Sequence, residues 1–119
     1  MTLHELRASV MFQANNDFED MCEYEPVLTD YINEGYDLLM EAWTGEHLAK
    51  PLCEDDDKPA LPPWAHRAIA DWATWLVYRN GPMQKQQRGV QYRLSFDKVK
   101  AMLLEARGGG VKNFFNIPR

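Results

Sequence analysis

Leu61-Pro62-Pro63-Trp64-Ala65-His66-Arg67-Ala68-Ile69-Ala70-Asp71-Trp72-Ala73-Thr74-Trp75-Leu76-Val77-Tyr78-Arg79-Asn80 is the stretch whose reading decides the fold. Proline fixes φ near the helical value and lacks the N–H that a first helical turn leaves unused, so Pro62-Pro63 launches a helix. Gly81-Pro82 stops it. Ala65, Ile69, Trp72 and Leu76 recur at helical spacing and form one apolar stripe. Trp64, Ala68, Trp75 and Tyr78 form a second. A helix apolar on two faces is either central in its domain or covered by a partner. Enclosing both faces is difficult in a chain of 119 residues, which favours the partner.

Helical periodicity continues on both sides. Thr2-Leu3-His4-Glu5 is a capping box, with Leu3, Leu6, Val10 and Ala14 behind it, so the spacing predicts a first helix over 3–14 that Asn15-Asn16-Asp17 breaks. Pro26 opens a second helix with apolar steps at Leu28, Tyr31/Ile32, Gly35, Leu38/Leu39 and Ala42, and Gly45 ends it as a left-handed cap. Gly35 inside that stripe costs about 1 kcal/mol against Ala, which points to close approach of another backbone. Residues 46–61, with Pro51, Pro59 and Glu54-Asp55-Asp56-Asp57, read as a long, solvated acidic loop. A last long helix is expected from Pro82 to Arg107, its stripe set by Tyr92, Phe96, Val99, Leu103 and Ala106, with a bend permitted at Gly89. Its first turns, Gln84 to Arg88, are polar and basic and are expected to project from the core. Gly108-Gly109-Gly110 is expected to sever it and to hinge an arm containing Val111, Phe114, Phe115 and Ile117. The reading is an all-α bundle of about four helices: a helical domain over 1–107 and a flexible, docking C-terminal arm over 108–119.

The chemistry-bearing residues are thinly spread. His4, His47 and His66 have no His or Cys at i+3 or i+4, and Cys22, His47 and Cys53 lack the paired spacing of a structural zinc site. The Glu54–Asp57 run lacks the alternation and turn glycine of a calcium loop. Phosphate-loop, dinucleotide and nucleophile-elbow patterns are missing, so the expectation is no enzyme, no metal and no cofactor. No apolar run approaches the roughly 18 residues that span a bilayer. Met1 to Glu5 lacks the basic and apolar regions of a secretory signal, and two widely separated cysteines suggest no disulfide framework; a cytoplasmic product is expected.

Charge is divided unevenly. Residues 1–62 carry three basic and fifteen acidic side chains, net −12; residues 63–119 carry ten and three, net +7. An acidic face on one copy can then meet a basic face on the next. Arg79, Lys85, Arg88, Arg93, Lys98 and Lys100 also form a basic strip able to face phosphates, against an overall pI near 5.1.

Three segments, in order, carry a resemblance. Tyr24-Glu25-Pro26-Val27-Leu28-Thr29-Asp30-Tyr31-Ile32-Asn33-Glu34-Gly35 resembles the helix-2 signature of the head–tail connector (adaptor, head-completion) proteins of tailed bacteriophages. Leu61 to Ala73 resembles the family's second signature, a Leu-Pro, an aromatic, a His, then an alanine-rich aromatic helix. Asn80-Gly81-Pro82-Met83-Gln84-Lys85-Gln86-Gln87 is similar to its link into the last helix. The match spans most of residues 1–107, while the Glu54–Asp57 loop fits no part of it.

The resemblance implies a structural subunit of the phage neck, located in the virion at the head–tail junction after assembly in the host cytoplasm. Copies would form a ring, usually twelve-fold though the isolated chain can be monomeric, beneath the portal protein. The ring would extend the DNA channel, pass DNA without sequence-specific binding, and present a surface to a downstream neck or tail protein. The expected subunit interface is Trp64, Trp75, Tyr78, Arg79, Lys85 and Arg88, and the expected portal-docking arm is Val111, Phe114, Phe115 and Ile117. The competing expectation is a phage-encoded DNA-binding regulator or packaging factor using the basic face of the last helix.

Overall fold

The structure, a computed structural model, describes residues 1–15, 17–18 and 21–109. It is an all-α bundle: α1 (Leu3–Ala14), α2 (Glu25–Thr44), α3 (His66–Arg79), a one-turn α4 (Met83–Gln86) and α5 (Val90–Gly109), with 3-10 turns at Met21–Tyr24, Pro63–Ala65 and Gln87–Gly89. Helices α2 and α3 lie side by side at the centre. α1 packs mainly on α3 and less extensively on α2, and α5 packs on both.

The helix ends follow the local chemistry. The Thr2 hydroxyl accepts the Glu5 N–H and the Glu5 carboxylate accepts the Thr2 N–H, so the capping box forms. Gly45 closes α2 at φ 84°, the left-handed conformation only glycine adopts without strain. A Cβ at Gly35 would sit 2.9 Å from Trp72 Cβ, so the glycine sets how closely α2 and α3 cross.

The two-faced helix α3 is central. Ala65, Ile69, Trp72 and Leu76 are buried as expected, but Ala68 and Tyr78 are buried too. Packing of α1, α2 and α5 around α3 encloses positions that the sequence left for a partner.

The last helix differs from its expectation in three ways. It divides: α4 and a 3-10 turn precede α5, and Gly89 is buried because a Cβ there would lie 2.5 Å from Tyr78 Cβ. Phe96 and Leu103 are buried with Tyr92 and Val99 half-buried, but Ala106 is exposed. Near that level α2 is ending, and the Arg107 guanidinium hydrogen-bonds the Glu41 carbonyl. Finally, α5 runs on through Gly109, since glycine weakens a helix by about 1 kcal/mol without forbidding it. Val111, Phe114, Phe115 and Ile117 lie outside the described residues.

Candidate interaction surfaces

The acidic loop is built into the domain. Leu52, Pro59 and Leu61 are buried, and three side chains of α2 hold the backbone between them. Asn33 donates to the Leu52 carbonyl at 2.9 Å and accepts the Leu52 N–H at 2.8 Å. The Tyr36 hydroxyl accepts the Ala60 N–H at 2.8 Å, and Asp37 accepts the Leu48 N–H at 2.6 Å. So pinned, the loop brings its carbonyls to the start of α1: Asp57 O accepts the Leu3 N–H and Asp55 O accepts the His4 N–H. With the Thr2 N–H taken by the Glu5 carboxylate and the Glu5 N–H by the Thr2 hydroxyl, all four amides that a helix start leaves unpaired are satisfied. Asp57 itself accepts the Cys53 and Glu54 N–H groups, which hold its carboxyl below the usual range. Glu54, Asp55 and Asp56 remain exposed, with Asp55 paired to Arg7.

Pro62 leads into α3 through His66, a buried histidine rather than a surface one. Its Nε2 lies 2.8 Å from the Leu61 carbonyl, which only accepts, so Nε2 carries the proton. Nδ1 then accepts from the Met1 nitrogen at 2.7 Å. Burial pushes the imidazole below its ordinary value, consistent with the neutral ring this arrangement requires.

A polar cleft opens where the end of α1 nears the start of α5. Gln13, Asp71, Tyr92, Gln91 and Arg67 line one part; Asp17, Tyr78 and Arg88 line the next. Asp71, only 9% exposed, receives a hydrogen bond from Gln13 Nε2 at 3.1 Å, and burial raises its carboxyl above the usual value. Asp17 is the opposite case. The Tyr78 hydroxyl donates to it, Arg88 pairs with it, and its carboxyl is held low, first by the tyrosine bond. The Lys85 ammonium donates to the Asp17 backbone carbonyl. Among the described residues, no group of three His, Cys, Asp or Glu side chains is arranged to hold a metal ion, and no helix is long and apolar enough to cross a membrane.

The six residues expected at a subunit interface therefore separate. Tyr78 is 2% exposed and spent on Asp17, so it is a core residue and not an interface one. Lys85 and Arg88 also close on Asp17, tying α4 and the 3-10 turn to the end of α1. Trp64 stands 49% exposed at the head of α3. Trp75 is half-buried, with the Arg79 and Arg93 guanidiniums 4.9 and 4.7 Å from its ring centroid. Trp64, Trp75 and Arg79 thus stay at the surface, on a face smaller than expected. The basic strip is similarly depleted: Lys85 and Arg88 serve Asp17, and Arg93 is bound to Asp97 and stacked on Trp72 and Trp75.

Exposed apolar side chains lie elsewhere. Phe12 on α1 is 82% exposed, as is Met83 on α4, and α5 turns Val90, Leu94, Met102 and Leu104 outward. The strong core stripes of α1 and α5 hid these positions, although Val90, Leu94, Asp97, Ala101 and Leu104 repeat in steps of four and three along a second line. The chain matches no protein-family model, no curated protein and no solved structure.

Proposed function

We propose that this chain is a structural subunit of a tailed-phage neck, forming a ring under the portal protein that continues the DNA channel toward a downstream neck or tail protein. One observation carries the reading: three segments resembling connector signatures, Tyr24–Gly35, Leu61–Ala73 and Asn80–Gln87, occur in order in a chain that folds as an all-α bundle. The residues that carry the resemblance have structural work here. Asn33 straps the loop, Gly35 admits Trp72, and His66 fastens the approach to α3. The signatures thus describe the architecture that a connector would share, and the surfaces that contact neighbours vary around it.

Two further features support a protein-binding role. Large apolar side chains stand exposed on α1 and α5, Phe12 on one and Leu94 on the other, which suits a subunit meeting neighbours. The chain also concentrates acid in its first half and base in its second. The DNA-regulator reading loses support because three of the six basic residues it needs are bound within the protomer.

The test is co-sedimentation of the purified full chain with portal rings, run beside a salt titration against duplex DNA. The proposal expects saturable portal binding and negligible DNA affinity at physiological salt. DNA affinity that falls steeply as salt rises, without portal binding, would replace it with the regulator reading.

A further inference from the structure

We infer that the cleft lined by Gln13 of α1, Arg67 and Asp71 of α3, and Gln91, Tyr92 and Ser95 of α5 binds a neutral sugar, one hydroxyl donating to the Asp71 carboxylate and its neighbour accepting from Arg67. The space holds about 390 Å³, within the range of roughly 300–1,000 Å³ of small-molecule sites. Asp71 is buried, yet it lines this space. Gln13 Nε2 donates to its Oδ1, and among the described residues nothing donates to its Oδ2. That oxygen is not sealed in the interior, where Trp72 Nε1 is the one enclosed side-chain atom without a partner among the described residues. Oδ2 therefore opens on the cleft. The carboxylate is also held in place: the fully buried Thr74 donates to Gln13 Oε1, which turns the amide N–H of Gln13 to Asp71. An acceptor so fixed has little freedom left to lose on binding.

The lining selects the ligand. Arg67 lies one helical turn before Asp71, a spacing at which opposite charges commonly pair. No ion pair joins them, and Arg67 makes none with any other described residue. A cation and an anion held apart on one wall suit a ligand that accepts from the first and donates to the second, and adjacent hydroxyls do both. Gln91, Ser95 and Tyr92 add amide and hydroxyl groups that can likewise donate and accept. Stacking on Tyr78, with ring centroids 5.9 Å apart, steadies the Tyr92 wall. Other classes fit less well. An apolar ligand would bury Asp71 Oδ2 without a donor. A bare anion would meet Asp71, and the neighbouring Arg88 is already taken by Asp17. A metal ion would lack ligands, since no group of three suitable side chains exists among the described residues. Burial also lifts the Asp71 carboxyl, so near neutral pH the fold keeps an anion that weakens it. A titratable group kept in a cleft at such a cost is a mark of a binding site.

The test is an amide NMR titration of the full chain with D-glucose, D-galactose, D-mannose and N-acetyl-D-glucosamine, each alone, and with glycine as a zwitterion that could bridge the same two charges. At least one sugar should give saturable shifts centred on Gln13, Asp71 and Gln91. Asp71→Asn turns the anionic acceptor into a donor and should weaken that sugar about tenfold while the protein melts no lower than the parent. Arg67→Ala, at an exposed position, should weaken it as well with an unchanged melt. Shifts from none of the sugars, from glycine alone, or centred elsewhere on the chain overturn the inference. So does a sugar that the parent and either variant bind equally well. Portal co-sedimentation reads the neck assignment separately, and neither result decides the other.

Discussion

Asp71 and His66 are buried titratable groups on the same helix, and acid acts on them in opposite senses. Burial raises the Asp71 carboxyl above its ordinary 3.8, so its contribution to stability is complete below that value and is lost as pH rises through the folded-state value. Asp71→Asn keeps an oxygen for Gln13 and removes the buried charge. It is expected to melt higher than the parent near neutral pH, with the gap closing as pH falls toward 3.8. An unchanged melting temperature at neutral pH would contradict the account of this site. For His66, burial lowers the imidazole below its ordinary 6.5; its contribution is present above 6.5 and is lost as pH falls through the folded-state value. His66→Gln should be less stable near neutrality and should lack the decline the parent shows below that pH. Equal pH slopes for the two proteins would mean that His66 is not held neutral in the fold.

At the scale of elements, the crossing of α2 and α3 and the strap of the acidic loop are the contacts most open to a single change. Gly35→Ala gains about 1 kcal/mol of helix propensity but drives a methyl against Trp72 Cβ, within 2.9 Å, where backbone-proximal atoms have little room to yield. Overpacking costs of about 1–3 kcal/mol leave a net loss, read as a melting temperature several degrees lower. Asn33→Ala removes both hydrogen bonds to Leu52 and strands their partners, at about 1–3 kcal/mol. It should speed proteolysis within residues 46–62 and amide exchange at Leu52, whereas parental protection there would refute the strap. These contacts also mark what sequence could reveal. The capping box of α1, the Gly45 cap and the close approach at Gly35 were legible because each depends on a local residue choice with one dominant physical cause. The loop was not, because its order comes from Asn33, Tyr36 and Asp37, polar residues on a helix that reads the same whether they meet solvent or a backbone twenty residues away. Tyr78 misled for a related reason: periodicity places an aromatic on a face, while the neighbour covering that face is chosen by packing of distant segments.

For the whole molecule, the distribution of charge and exposed apolar surface matters more to attachment than any pocket. Its clefts are shared between elements, and several of the polar groups lining them are spent on holding segments together, Asp17 on Tyr78 and Arg88, and Gln13 on the buried Asp71. The surface instead offers exposed apolar side chains on α1, α4 and α5. That pattern fits a protein whose output is attachment, and it accounts for how α1 and α5 each devote one face to the core and one to the outside. The neck assignment is tested most directly by electron microscopy of phage particles in which this subunit carries an electron-dense label. The account predicts label concentrated at the single vertex where head joins tail. Particles unlabelled at that junction, or label spread over the capsid shell, would contradict it.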